Sequence, residues 1–403
     1  MYTSVDKAMQ YAIKSVKLSF VPTPQIDNMM EKFRQMVNDC IRAGLQHDIS
    51  SMKLLCKLTY KQLASYDIIT YYKLCAISHA AGILANRKKS FKRGLYPRKP
   101  YAIRPLLISC YGFKIVDGFL KIPFGNKRYF DIPLNGYVKK ILSDRSLKVR
   151  SFTLTPDAVS ICYSKEVDDI ECSKVEGVDR NLRNLSVGNV DHVVQYDLSN
   201  AVDIAENTHS IMKSFSRNDV RVRRKLYEKY GKRRKNRINQ LLHNVSKSVV
   251  RSAKENKIAI AFEDIRHIRK LYRRGNYQSR SYRTTLNGWS FAEVKRQIEY
   301  KAAWEGVPTI QLSKAETKGT SQLCSRCGKK ITQVDRKTRQ LWCDQCKKWM
   351  DRDVVAAMNL SVKGLARLAS SKGLAEEAMK GNLERDPIIL RVDASKLAYS
   401  LRQ

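Results

Sequence analysis

Apolar and polar residues alternate through Y-A-I-K-S-V-K-L-S-F-V-P at 11–22, and this two-residue period, closed by Pro22, predicts a β-strand. From Thr23 to about Ala85 the period lengthens. Met29, Phe33, Met36, Val37, Cys40 and Ile41 recur at helical spacing, which predicts two or three helices. Between 102 and 167 short alternating runs return (L-L-I-S-C-Y, F-K-I-V, F-L-K-I-P-F, V-R-S-F-T-L, V-S-I-C-Y). The turn signals Asp117-Gly118, Gly125-Asn126 and Pro156-Asp157 separate them. These runs predict an antiparallel barrel or sandwich that the strand at 11–22 completes, with the helical block inserted into it or appended to it.

A second regime begins at about Lys174. V-E-G-V-D-R, L-S-V-G-N-V and H-V-V-Q-Y predict three closely spaced strands, a β-meander. A long polar helical region follows, with Leu226, Ile238, Leu241, Leu242, Val245, Val249 and Val250 as its apolar stripe. The I-A-I-A-F-E-D-I run at 258–265 predicts a buried strand. An exposed basic loop, an amphipathic helix from about Phe291 to Glu305 and a strand V-P-T-I-Q-L come next. Alternation of helices and strands after three antiparallel strands is an α/β layout consistent with an RNase H-type sheet.

Charge narrows the class of partner. The chain of 403 residues carries 76 Lys and Arg against 38 Asp and Glu, a formal net charge of +38. Such an imbalance predicts a polyanionic partner, because counterion release drives basic proteins onto phosphate backbones. Residues 213–257 hold 16 Lys and Arg and 3 acidic residues. Residues 87–99 carry seven basic residues and no acidic one, with Phe91 and Tyr96 interleaved. Residues 265–285 likewise carry seven and none, with Tyr272, Tyr277 and Tyr282. The run at 87–99 reads either as a solvated linker or as a phosphate-tracking arm with stacking aromatics. The stretch closest to a membrane span, 66–86, is interrupted by Asp67, Lys73 and His79, and 1–15 lacks a signal-peptide core, so a soluble intracellular protein is expected. Six of the ten cysteines are scattered singly, as reduced cysteines are, and disulfides are not expected.

The other four, Cys324, Cys327, Cys343 and Cys346, have the spacing C-x2-C-x15-C-x2-C of a tetrathiolate zinc ribbon and predict a structural Zn²⁺. Asp351 and Asp353 follow at the start of a helix rich in small residues. Asp179 ends the first strand of the meander, and Glu263 ends the buried strand, where a charge is costly without a metal, a partner or the sheet's edge. Three such acids brought together by the fold would suit metal-ion hydrolysis of phosphodiesters by Mg²⁺. Taken singly, each also reads as a helix cap or a surface acid. His243 tempts as a base, but a lone helix histidine is more often structural. Trp289, Trp304, Trp342 and Trp349 read as packing residues of helices and ribbon, with contact to nucleic acid the alternative for Trp342 beside Cys343.

G-V-D-R-N-L-R-N-L at 177–185, I-A-I-A-F-E-D-I at 258–265 and D-R-D-V-V-A-A-M-N-L at 351–360 resemble the three motifs of RuvC-like nucleases. T-S-Q-L-C-S-R-C-G at 320–328 resembles the zinc-ribbon insertion of TnpB proteins, the insertion-sequence relatives of type V CRISPR effectors. The resemblance covers about 175–362. It implies catalytic acids at Asp179, Glu263 and Asp353, holding Mg²⁺, with Asp351 and Asp264 as non-catalytic neighbours.

The resemblance also implies a multidomain α+β architecture. Its parts are a first strand of a wedge β-barrel (1–22), a helical recognition domain (23–100) and the rest of the barrel (101–173). A RuvC nuclease domain of RNase H-like α/β fold (174–319 and 351–365), an inserted zinc ribbon (320–350) and a C-terminal tail (366–403) follow. The activity implied is RNA-guided cleavage of double-stranded target DNA beside a short flanking motif, with a guide RNA from the transposon end. The protein would be a cytoplasmic prokaryotic monomer. Three positions depart from the family's pattern: Asn181 and Lys347, where Gly is usual, and Val355, where Asn is frequent. Two other readings stay open: a catalytically silent RNA- and DNA-binding regulator of transposition, and a DNA transposase.

Overall fold

The computed structural model describes residues 10–125, 127–265, 268, 277–289, 291–331, 333–335, 338–371 and 386–397. The chain is a mixed α+β protein of two compact units, Tyr11–Glu166 and the part from Val167 onward.

In the first unit, β1 (Gln10–Ser19) leads into α1 (Pro24–Gln46), α2 (Met52–Thr59) and α3 (Thr70–Lys92). Thr23 caps α1, its Oγ1 accepting from the Ile26 amide, and Pro24 stands where no amide hydrogen is needed. Met30, Phe33, Met36, Val37 and Cys40 line one face of α1 and are fully buried, as are Tyr72, Ala76, Ile77 and Ala80 of α3, which packs against it. The basic run at 87–99 begins as the last turns of α3, so its first half is helix and not a linker.

Short strands follow: β2 (Leu107–Ser109), β3 (Lys114–Val116), β4 (Phe119–Gly125) and β5 (Arg128–Pro133). After α4 (Gly136–Leu142) come β6 (Lys148–Thr155) and β7 (Ala158–Val167). A single barrel is not what their hydrogen bonds build. β1, β7, β6 and β2 pair in that order as one open sheet, and β3, β4 and β5 form a separate three-stranded one. Alternation identifies the strands but leaves their partners open, and here two pairing sets satisfy it.

The second unit is organised on a six-stranded sheet, ordered β12 (Thr309–Gln311), β11 (Ile258–Phe262), β8 (Lys174–Arg180), β9 (Asn184–Gly188), β10 (His192–Asp197) and β16 (Ile388–Asp393). Its first three strands, β8 (Lys174–Arg180), β9 (Asn184–Gly188) and β10 (His192–Asp197), form the antiparallel meander. α5 (Ser199–Ser214) and the 36-residue α6 (Val220–Glu255) lead to β11 (Ile258–Phe262), which runs parallel to β8. Then come α7 (Arg280–Gly288), α8 (Phe291–Glu305) and β12 (Thr309–Gln311), parallel to β11. A three-stranded ribbon of β13 (Gln333–Asp335), β14 (Gln340–Cys343) and β15 (Lys348–Asp351) precedes α9 (Arg352–Ser371). β16 (Ile388–Asp393) closes the far edge, parallel to β10. The segment expected to be a loosely attached tail therefore contributes a strand.

Helices cover both faces of this sheet. Val178, Ile260 and Phe262 point into a core shared with α5, α6 and α8, whereas Val175, Ala259 and Ala261 face α9 through Leu360. The approach of α9 is close because small residues permit it. A Cβ on Gly177 of β8 would lie 2.1 Å from the Ala357 carbonyl oxygen, and one on Gly364 would lie 2.6 Å from the Ala261 Cβ. Ser361 ties the layers by donating its hydroxyl to the Val175 carbonyl at 2.6 Å. Gly177→Ala is therefore expected to push α9 off the sheet, at a stability cost of about 1–3 kcal/mol. Thermal denaturation of the variant reads this directly, and an unchanged midpoint would contradict the packing.

Candidate active site and metal centre

The first motif places its acid by alternation. On β8, Val175, Gly177 and Asp179 face α9, and Asp179 stands one residue from the strand's carboxyl end. β11 runs parallel beside it, so Glu263, the residue after Phe262, emerges at the same end of the sheet. α9 begins at Arg352 and brings Asp353 down on that edge. The three acids thus come from three elements whose ends coincide at the carboxyl edge of two parallel strands.

Capping decides which aspartate of the third motif is free. Asp351 Oδ1 accepts from the backbone amides of Asp353 (2.8 Å) and Val354 (3.3 Å), so Asp351 caps α9, and Gln195 Nε2 donates to its other oxygen at 3.4 Å. The cap role that Asp353 taken singly suggested falls instead on Asp351, and Asp353, 3% exposed, turns inward.

Electrostatics joins the three acids. Burial pushes the Asp179 carboxyl up to about 8, and the charges of Glu263 and Asp353 push in the same direction, opposed by a hydrogen bond from Asn181 and by Arg339. Glu263 is also raised, by burial first, with Arg180 opposing and Asp264 adding to the shift. Crowded carboxylates of this kind, buried at Asp353 and half-buried at Asp179 and Glu263, gain from any cation placed among them, and an all-oxygen donor set suits a hard ion such as Mg²⁺. The carboxylates are not closed on one point. Among the described residues, the four cysteines are the one group of three or more Cys, His, Asp or Glu whose ligand atoms lie within 4.8 Å of one another.

Three neighbours, Asn181, Asn184 and Arg339, hold Asp179 and Asp353 in place. Asn181 Nδ2 donates to Asp179 Oδ2 at 2.6 Å and to Asn184 Oδ1 at 3.1 Å, and Asn184 Nδ2 donates to Asp353 Oδ2 at 2.9 Å. Asn181 does not adopt the positive φ that its replacement of a glycine suggested; its amide acts as an orienting group. Arg339, at the tip of the β13–β14 hairpin with φ +59°, pairs with Asp353 Oδ1 and donates to Asn181 Oδ1 at 3.2 Å. It is a cation held against a buried carboxylate. On the opposite face, Arg180 donates to the Glu263 carbonyl oxygen at 2.7 Å with its guanidinium 6.0 Å from the Phe262 ring centroid, fixing the turn out of β11.

The ribbon's cysteines converge. Cys324 Sγ lies 3.8 Å from Cys346 Sγ, and Cys327 Sγ lies 3.5 Å from Cys343 Sγ. A tetrahedron of Zn–S bonds of about 2.3 Å has edges of about 3.8 Å, so the four sulfurs fit one zinc ion. Both knuckles turn through left-handed residues, Gly328 at φ +70° and Lys347 at φ +50°. Lysine therefore takes the conformation where glycine is usual. Val355, the third departure, is buried against Cys324, Ile331, Leu341 and Cys343, so it seals the ribbon onto α9. Asn359 completes the joint by donating to the Thr320 and Leu323 carbonyl oxygens at 2.7 and 2.9 Å.

So small an apolar cluster does not hold a ribbon by itself. One zinc per chain is expected by elemental analysis, and Cys343→Ser is expected to release it and open 320–350 to proteases. A zinc-free, protease-resistant wild-type protein would contradict this.

His243 is held structurally: its Nδ1 lies 3.4 Å from the Tyr300 hydroxyl, its carbonyl accepts from Lys301, and burial lowers its basicity. Trp289 is buried in the core beneath α6, and Trp342 and Trp349 pack across β14 and β15 with centroids 5.5 Å apart. Of the basic run at 265–285, residues 266–267 and 269–276 lie outside the described residues. Tyr277 and Tyr282 within it are exposed. No helix among the described residues is long and apolar enough to cross a membrane.

The chain is similar to several known proteins. The model of the Cas12f1-like TNB domain matches residues 291–360, which include α8, the ribbon and Asp353. The TnpB-like protein MJ0751 of Methanocaldococcus jannaschii is 29% identical over 266 residues, 62% of this chain and 92% of that protein. A Streptomyces pristinaespiralis protein, provisionally named an RNA-guided DNA endonuclease, is 30% identical over 133 residues, 33% of this chain and 30% of its own length. Among solved structures, that of a Cas12f1–sgRNA–target DNA complex aligns with 87% of this chain and 98% of that one, at 14% identity and a TM-score of 0.37. The matched TNB-domain model and the likeness to 92% of the length of MJ0751 support a place for this chain among TnpB-like proteins.

Proposed function

We propose that this protein is an RNA-guided DNA endonuclease that hydrolyses phosphodiesters of a target beside a short flanking motif, with Asp179, Glu263 and Asp353 as its catalytic acids. The observation that carries the reading is the convergence of three acids, from the end of β8, the residue after β11 and the start of α9, on one edge of the sheet. The half-buried Asp179 carboxyl is pushed up by desolvation first, and by the charges of Glu263 and Asp353 in addition. Without a function such a cluster is a net cost to folding, since buried like charges repel.

The three carboxylates would hold Mg²⁺, which when bound supplies an activated water and stabilises the leaving oxygen. Asn181 and Asn184 orient Asp179 and Asp353 through their amides, as groups behind metal ligands do. Arg339 neutralises Asp353 from the ribbon's tip, and the same guanidinium, once freed, faces the edge where a phosphate would arrive. Arg180 keeps Glu263 at the end of β11.

Substrate is held elsewhere. The half of α6 from Val220 to Arg237 contains ten Lys and Arg and contributes nothing to the buried core, which starts at Ile238. A rod of this length, roughly 27 Å, spans several phosphates of a helix. Guide RNA and heteroduplex are the partners this surface suits, and base pairing supplies the sequence specificity.

The experiment is to purify the protein from cells carrying its own flanking DNA, sequence the RNA that copurifies, and supply a plasmid matching that RNA. Cleavage of the matched plasmid only, in Mg²⁺ and not in EDTA, supports the reading. Cleavage indifferent to the RNA, or strand joining in place of hydrolysis, would replace it with the transposase reading.

A further inference from the structure

A polar cleft of about 590 Å³ opens in the first unit between the segment leading into α3 and the hairpin of β4 and β5. Three aromatic residues, Tyr71, Phe124 and Tyr129, and two cations, Lys127 and Arg128, line it. No residue of the nuclease site belongs to it.

The cleft has fixed walls. Tyr72, fully buried, donates its hydroxyl to the Pro123 carbonyl at 2.9 Å and clamps α3 against β4. Gly112, at φ +73°, admits the Tyr71 ring; a Cβ there would lie 2.5 Å from the Tyr71 hydroxyl oxygen. Phe124 stacks on Phe130 with centroids 4.0 Å apart and planes 23° from parallel. The Arg128 guanidinium lies 5.2 Å from the Phe124 centroid, and the Lys114 ammonium lies 5.8 Å from that of Tyr129. Lys127, at φ +56°, and Arg128 are exposed at the hairpin's end. The acid on the rim, Asp67, has Lys32 at 3.9 Å.

We propose that this cleft holds one unpaired nucleotide of a bound strand. The base would stack on the rings of Tyr71, Phe124 or Tyr129, and its phosphate would lie against Lys127 and Arg128. The inference rests on the nucleic-acid-guided reading above and adds a site that the nuclease chemistry does not require. Aromatic faces accept any base, and a guanidinium already stacked on a ring can keep that contact while its N–H groups meet a phosphate. A simple anion would not need three rings, and an apolar ligand would not need the cations.

A nucleotide from RNA or from single-stranded DNA satisfies this chemistry, and the test separates them. The full-length protein is cross-linked by ultraviolet light to short oligonucleotides carrying either 4-thiouridine in RNA or 4-thiothymidine in DNA, and the adducts are mapped by peptide mass spectrometry. Adducts at Tyr71, Phe124 or Tyr129 are expected with one of the two. Arg128→Ala and Tyr129→Leu should each lower their yield about tenfold and leave adducts on 220–255 unchanged. Because Arg128 is exposed, its variant tests the cleft without disturbing the core. Adducts confined to α6, or an unchanged yield in both variants, would overturn the cleft proposal alone. Failure of both oligonucleotides to bind anywhere on the protein would overturn the nucleic-acid reading as well.

Discussion

Replacing any one of Asp179, Glu263 or Asp353 by Ala is expected to lower guided DNA cleavage by at least about 10³-fold while RNA and target binding persist. The reason is geometric. Each acid belongs to a different element, and the cluster needs all three to concentrate enough negative charge at one edge of the sheet. Double replacements should cost little more than single ones, since groups that act as a unit are not additive. Asp351→Ala is expected to behave differently. It removes the cap of α9, costs about 1 kcal/mol of stability and leaves partial activity. Asp264→Ala should likewise retain activity. Cleavage by Asp353→Ala at the wild-type rate would show that the acids are misassigned.

Affinity for nucleic acid should fall steeply with salt. The +38 charge, and the ten Lys and Arg on the free half of α6, predict multiple phosphate contacts. If six of them engage, affinity drops roughly 10³-fold between 50 and 200 mM salt. Fluorescence anisotropy of a labelled RNA across that range gives the slope, and reversing four of the α6 cations to Glu should flatten it. A salt-independent affinity would mean that the charge serves something other than a phosphate backbone.

Where local chemistry sets an element, the sequence foretells it. The meander, the all-buried β11 and the amphipathic α8 follow from period and β-branching, and the ribbon follows from thiolate spacing that has little other use. What depends on distant partners is not legible in this way. β16 reads as tail because Ile388, Ile389 and Leu390 are all substantially exposed and lack a core-facing alternation; the parallel pairing with β10 alone makes them a strand. The strands of the first unit divide into two sheets because register and partner are tertiary properties.

The same division holds inside the site. Glu263 stands out as a charge closing an apolar strand, whereas nothing around Arg339 marks it, since it reaches Asp353 only through the fold of the ribbon hairpin. Asn181 and Val355, departures when read against a motif, are explained by what they touch. One orients Asp179 by its amide, and the other packs on the ribbon's cysteines.

The central claim, that Asp179, Glu263 and Asp353 form one metal-holding site, is tested most directly by anomalous diffraction from crystals of the protein grown with Mn²⁺ as a stand-in for Mg²⁺. An ion is expected at about 2.0–2.2 Å from carboxylate oxygens of Asp179, Glu263 and Asp353, with Arg339 withdrawn from Asp353. Anomalous density absent from this edge of the sheet at saturating Mn²⁺, with the Arg339–Asp353 pair intact, would contradict it.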